Sequence, residues 1–172
     1  MDRKLLLRSR AGDREAFDLI VAAKSESVYR TALAILGNEA DARDAAQDAF
    51  VAAWRKIRDL RDVDRFDAWL GRILINHCRS ALRRRGRVRE VALEEVLETK
   101  ASFNSFDGAN DGADFDDAFG RLTVDQRAIL VLHHLHGYGV RDIANWLGIP
   151  SGTVKWRLSR ARIALQHELD RT

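Results

Sequence analysis

Between Leu147 and Ser151 the chain reads Leu-Gly-Ile-Pro-Ser, and this short interruption sets two apolar helical stripes at a steep angle. Upstream, Val140, Ile143, Ala144 and Leu147 recur at i, i+3, i+4 and i+7, the spacing that places side chains on one helix face. Gly148 stops that helix, Pro150 fixes φ in the connection, and Ser151 is expected to cap a second helix through its hydroxyl. On the second helix Val154, Leu158, Ala161 and Leu165 share a face, so Trp156, Ser159 and Arg160, flanked by Thr153 and Lys155, point outward. No acidic residue occurs from Ile143 to His167, whereas Lys155, Arg157, Arg160 and Arg162 bring positive charge. A helix-turn-helix with a basic second helix suits a DNA groove, because phosphates attract the cations and the major groove admits a helix. The same pattern also describes a plain helical hairpin with a solvated basic face.

The rest of the chain continues the helical reading. Phe17, Ile20 and Val21, then Tyr29, Leu33 and Leu36, follow helical spacing, and Gly37 and Asn38 mark a stop and a turn. From Asp41 to about Arg58 a long helix is expected, with Ala42, Ala46, Ala49, Phe50, Ala53 and Ile57 as its buried stripe. Its other face carries Asp44, Gln47, Asp48 and Arg55. A loop from Asp59 to Arg65 precedes a further helix with Phe66, Trp69, Leu70, Ile73 and Leu74, which ends among Arg79, Arg83, Arg84, Arg85, Arg87 and Arg89. Then composition changes: nine acidic residues stand between Glu90 and Asp117 against the single Lys100, and Phe103 to Asp117 is rich in Gly, Asn, Ser and Asp. That stretch reads as a flexible acidic linker. No β alternation of useful length occurs, so the expected class is all-α, with two small helical domains joined by the linker.

Charge is more informative by position than by sum. The formal net charge is only +3, yet the arginine run concentrates cations with no acid among them, which favours a polyanionic partner. Phe66 and Trp69, on the helix leading into it, offer either core packing or a platform for unpaired bases. Asp41, Asp44 and Asp48 with Gln47 form a polar ridge that is either solvated surface or the docking face for a basic partner. The single cysteine, Cys78, excludes an internal disulfide and fits a small buried hydrophobe in a reducing cytoplasm. No apolar run approaches the length of a signal sequence or membrane span, so a soluble cytoplasmic protein without membrane insertion is expected. His133, His134 and His136, with His77 and Cys78 elsewhere, raise a metal or hydrolase reading, but no third ligand has motif-like spacing. Neither a glycine-rich phosphate loop nor a nucleophile elbow is present, so no enzyme activity and no cofactor are expected.

In order along the chain, DARDAAQDAFVAAWRKI, RFDAWLGRILINHCRSALRRR, an acidic linker and LTVDQRAILVLHHLHGYGVRDIANWLGIPSGTVKWRLSRARIAL resemble a bacterial RNA polymerase sigma factor of the extracytoplasmic-function (ECF) group. The resemblance implies a region 2 domain over residues 1–89, a linker over 90–113 and a region 4 domain over 114–172, without the middle domain of larger sigma factors. It implies core polymerase binding through Asp44, Gln47 and Asp48. Opening of the −10 element and capture of a flipped base would involve Arg65, Trp69, Asn76, Arg79, Arg83 and Arg84. At the −35 element Lys155, Trp156, Ser159 and Arg160 would read base edges beside Thr153, with Arg157 and Arg162 on phosphate. The partners implied are core RNA polymerase, duplex promoter DNA with its melted single strand, and an anti-sigma factor; the linker would thread the polymerase cleft. An operator-binding regulator would share the helix-turn-helix but needs no polymerase-docking ridge.

Three positions depart from the family pattern. Ser80 stands where an acidic residue is usual, Trp156 where a small serine is common, and Gly139 where a serine cap is usual. The indole at 156 would favour apolar contact with a thymine methyl or push the helix outward.

Overall fold

The computed structural model describes residues 2–91 and 112–171, and every regular element among them is helical. The elements are α1 (Arg3–Arg10), α2 (Arg14–Leu36), α3 (Glu39–Lys56), single 3-10 turns at Ile57–Asp59 and Val63–Arg65, and α4 (Phe66–Val91). After the acidic segment come α5 (Gly112–Arg121), α6 (Val124–Leu130) running into a π turn (Val131–Leu135), α7 (Val140–Leu147) and α8 (Ser151–Leu169). The expectation of a flexible linker falls largely on residues 92–111, outside the described residues.

Local chemistry accounts for the ends of these helices. Asp13 caps α2 by accepting from the Ala16 N–H at 3.1 Å. That bond, then the Arg8 guanidinium beside it, holds the Asp13 carboxyl below its ordinary range. α2 stops at Gly37, and Asn38 caps α3 by accepting from the Asp41 N–H at 2.9 Å. Glu39 and Asp41 in the first turn of α3 and Arg55 and Lys56 in its last complement the helix dipole. Thr123 and Gln126 form a reciprocal capping box at the start of α6.

The N-terminal helices close around a core of Ile20, Ile35, Leu36, Ile57, Phe66, Leu74 and Ile75, all fully buried. The face of α3 turned toward α2 and α4 is alanine: Ala42, Ala45, Ala49 and Ala53 are almost wholly enclosed, letting the neighbouring backbones come close. Phe66 belongs to this core, and Phe50 is half-buried at its edge. A second set, Ile129, Leu132, Ile143, Val154, Leu158 and Ala161, joins α6, α7 and α8. The two sets are continuous, because α4 packs on α7 and α2 on α6.

Two local expectations are corrected. Ser151 does not cap α8: Pro150 occupies the cap position, extended at φ −59° and ψ 146°, and its carbonyl accepts from the Val154 N–H at 3.1 Å. A proline there loses nothing by having no N–H, so Ser151 becomes the first helical residue. The Gly- and Asp-rich stretch does not stay open to Asp117, since α5 begins at Gly112. Ala118 and Phe119, with Leu122 just past the helix end, are buried and supply tertiary packing that outweighs poor local propensity, and Asp114 suits the first turn.

Cys78 is fully enclosed on α4, and burial pushes its thiol up to about 12. Because the thiolate is the reacting species, native protein at pH 8 is expected to be alkylated at least ~100-fold more slowly than urea-unfolded protein. Equal rates measured by mass spectrometry would contradict this burial.

Candidate polymerase and promoter surfaces

On α3 the stripe of alanines fixes which side is left outside. Asp44 and, one turn on, Gln47 and Asp48 are all exposed there, and Asp41 is half-buried beside them. Asp48 is tied across to α4, its carboxylate 3.7 Å from His77 Nδ1. The ridge therefore combines acidic groups with a backbone rigidly seated on the core, which is what docking a basic surface requires.

On α4 one face carries Trp69, Asn76 two turns on, then Ser80 and Arg83 on the turns that follow, with Arg79 at its edge and Arg84 a step around. Trp69 is half-buried, its ring 5.8 Å from that of Phe66, so one side of the indole packs and the other is available. Arg79 donates to Asn76 Oδ1 at 3.3 Å, and Arg83 donates to Ser80 Oγ at 3.0 Å. Ser80 in turn donates to the Asn76 carbonyl at 3.0 Å. The hydroxyl thus supplies the local arginine contact at a position where a carboxylate is usual, without neutralising the cation. Arg65 lies apart, in the 3-10 turn that leads into α4, 3.4 Å from Asp62.

Gly148 makes the third surface possible. At φ 66° it adopts a left-handed conformation that side chains disfavour, and its N–H closes α7 on the Ala144 carbonyl. With Val154, Leu158 and Ala161 buried, α8 presents Lys155, Trp156, Ser159 and Arg160 outward. Trp156 is 63% exposed, the most exposed large apolar side chain among the described residues, with the Arg160 guanidinium 5.8 Å from its ring centre. Thr153 and Arg157 are half-buried on one flank. On the other, Arg162 donates to His134 Nε2 at about 3.3 Å, and burial, then His133, then Arg162 depress the His134 pKa, so the ring stays a neutral acceptor. The histidine run is divided among different partners: His133 Nδ1 lies 3.0 Å from the Tyr138 carbonyl, and His136 Nε2 lies 2.8 Å from Thr31 Oγ1 on α2.

Sequence reasoning missed the seam where these helices meet. Gly71 on α4 sits beneath the Trp146 ring, Arg72 Nε donates to the Trp146 carbonyl at 3.0 Å, and Arg79 pairs with Asp125 of α6 at 2.7 Å. The available signal was Gly71 itself, an isolated glycine inside a helical pattern, which marks close approach of another element.

Comparison with known proteins places the chain in a family. Residues 20–88 match the Sigma-70 region 2 family and residues 113–165 match Sigma-70, region 4. The ECF RNA polymerase sigma factor SigM of Mycobacterium tuberculosis is 35% identical over 164 residues, covering 95% of this chain and 82% of its own. SigW of Bacillus subtilis, another ECF RNA polymerase sigma factor, is 32% identical over 184 residues, covering 98% and 97%. Among solved structures, the sigma factor RpoE in complex with the anti-sigma factor NepR, from Bartonella quintana, superposes with a TM-score of 0.72 at 30% identity, covering 90% of this chain and 96% of that one. CnrH in complex with the cytosolic domain of CnrY gives 0.69 at 30% identity, covering 98% and 97%. The chain belongs to the ECF group of RNA polymerase sigma factors. It is accordingly a transcription-initiation factor that binds core RNA polymerase and recognises −35 and −10 promoter elements, a reading favoured over a free-standing operator-binding regulator. Among the described residues no helix is long and apolar enough to cross a membrane.

Proposed function

We propose that the three surfaces divide the work of initiation. Asp44, Gln47 and Asp48 dock core polymerase; the α4 face with Trp69, Asn76, Arg79, Arg83 and Arg84, together with Arg65, melts the −10 element and holds its unpaired strand; the α8 face reads the −35 element. The observation that carries this reading is that the three sets, Arg65 apart, lie on helices seated on the core, with Asp44, Gln47, Asp48, Asn76, Arg83, Arg84, Lys155, Trp156, Ser159 and Arg160 exposed. Trp69 and the arginines suit a melted strand because an aromatic face stacks on any base while guanidinium groups follow its phosphates. On α8, Lys155, Ser159 and Arg160 have the hydrogen-bonding capacity to read base edges beside Thr153, and Arg157 and Arg162 flank them where phosphates would run.

In this reading the protein performs no bond chemistry of its own and works in the cytoplasm; residues 1–89 and 114–172 act as its two functional domains and 90–113 as the connection. An anti-sigma factor is a further expected partner. RpoE is solved with the anti-sigma factor NepR and CnrH with the cytosolic domain of CnrY, and both match this chain over most of its length.

Transcription in vitro with core polymerase over a randomised promoter library tests the whole scheme. A consensus with two spaced elements is expected, and no promoter-dependent transcript from active core would sink it. Trp156→Ser in the same assay is expected to relax preference at one −35 position by about tenfold, the scale of one mismatched base pair. An unchanged −35 consensus would remove Trp156 from the readers.

A further inference from the structure

We propose that α1, which carries no residue assigned to polymerase or DNA, sets how selectively the −10 strand is read, with Arg10 as a positioning residue that holds the loop between α3 and α4 in shape. This role rests on the assignment of Arg65 and the α4 face to the −10 element. From Ile57 to Arg65 the loop is two single 3-10 turns joined at Leu60. Its outer edge is charged, with Arg58, Asp59, Arg61, Asp62, Asp64 and Arg65 all exposed. Its inner edge is apolar, with Ile57, Leu60 and Val63 buried. Within the loop the Leu60 N–H donates to the Ile57 carbonyl at 3.1 Å and the Arg65 N–H to the Asp62 carbonyl at 3.2 Å. The Asp64 N–H donates to Asp62 Oδ1 at 3.0 Å. None of these three bonds crosses from the first turn to the second, so what fixes one turn against the other comes from outside the loop.

α1 supplies that support. It packs on both turns, and Leu6 is buried in the same core as Leu60 and Val63. Arg10 Nη1 donates to the Leu60 carbonyl at 3.3 Å, at the joint between the turns. Just past α1, Arg58 of the first turn closes over Gly12, so near that a Cβ there would fall 2.8 Å from its Nη2. α1 is itself tied to α2, because Arg8 holds the Asp13 carboxylate through Nε at 2.8 Å and Nη2 at 2.7 Å. Contacts thus run without a break from the core through α1 to the loop. By charge alone Arg3, Lys4, Arg8 and Arg10 would all be set on phosphates. Arg10 differs, since it is half-buried and spends its guanidinium on a carbonyl whose residue is enclosed. A charged donor makes that bond stronger than a neutral one. The Arg3–Asp64 pair, at 3.4 Å with both side chains open to water, contributes little beside it. A base held outside the stack needs its partners placed to within about 0.5 Å, and a loop fixed at its joint meets that tolerance.

Arg10→Met keeps the apolar stem and removes the donor, Arg10→Lys keeps a donor, and Arg10→Gln repeats the loss with a polar side chain too short to reach. Hydrogen exchange of the full chain, read by mass spectrometry, is expected to show the Leu60, Asp64 and Arg65 amides exchanging about tenfold faster in Arg10→Met, the scale of one hydrogen bond to a charged group. Arg10→Lys should stay close to wild type. Transcription with core polymerase over a randomised promoter library should show Arg10→Met discriminating about tenfold less at one −10 position, with the −35 consensus unchanged and core affinity within about twofold. Arg10→Gln should behave like Arg10→Met, and Arg10→Lys should recover most of the discrimination. A thermal melt checks that each variant is folded. Unchanged −10 discrimination in both donor-less variants would overturn the proposal. Weakened discrimination with unchanged exchange would mean that Arg10 touches the strand itself, which overturns the positioning role. Equal losses at both elements, or a fall in core affinity, would mark a general structural role and overturn it as well. A wild type with no −10 preference would overturn the −10 reading and the role in selectivity with it, while faster exchange in Arg10→Met would still uphold the hold of Arg10 on the loop.

Discussion

Asp44→Arg combined with Asp48→Arg is expected to lower affinity for core polymerase by at least ~100-fold, because like charge set against a complementary surface costs several kcal/mol. Both carboxylates are exposed, and among the described residues Asp48 approaches only His77, at 3.7 Å. Folding stability should therefore change by no more than ~0.5 kcal/mol, as for surface positions generally. Titration of labelled protein with core, beside a urea melt, separates the effects: unchanged affinity would remove the ridge from the docking surface. Raising the salt should weaken the wild-type interaction as well, since charges at an exposed rim are screened within about 10 Å at 0.1 M.

The second large effect concerns stability. Phe66 is fully buried where α4 begins, and Phe66→Ala is expected to cost about 3–5 kcal/mol. A domain of this size has only ~5–15 kcal/mol in all, so the midpoint of thermal unfolding should fall by well over 10 °C. Phe66→Leu should restore much of the loss by refilling the volume. Trp69→Ala, at a half-buried ring, should act mainly on strand opening, read by permanganate footprinting of the promoter, with a much smaller change in the melt. If Phe66→Ala melted like wild type and failed only in strand opening, the residue would belong to the DNA surface and not to the core.

How far the molecule was legible beforehand depends on the range of the interaction. The helix-turn-helix and the alanine stripe of α3 announce themselves through spacing, because a single helix facing a core imposes its period directly. α5 did not, since its apolar positions Phe115, Ala118 and Phe119 are diluted by glycine and aspartate whose local preferences point the other way. Ser151 is a good cap by type, yet Pro150 before it offers an extended backbone and needs no donor, and position outweighed residue type. The π turn after α6 and the seam had no periodic signature. Thr31 and His136 are 105 positions apart, and their contact follows from how whole helices dock. The candidate surfaces were legible as helix faces opposite the apolar stripes; what escaped was that Arg79 on one of them is paired with the chain's own Asp125.

The Trp146 ring resting on Gly71 bears on how such a protein is dissected. Truncation scanning finds residues by what is lost when atoms are removed, and at position 71 there is nothing to remove. A site whose function is to leave room is silent to subtraction and responds only to added bulk, so a library enriched in small-to-large changes would map surfaces that alanine libraries pass over.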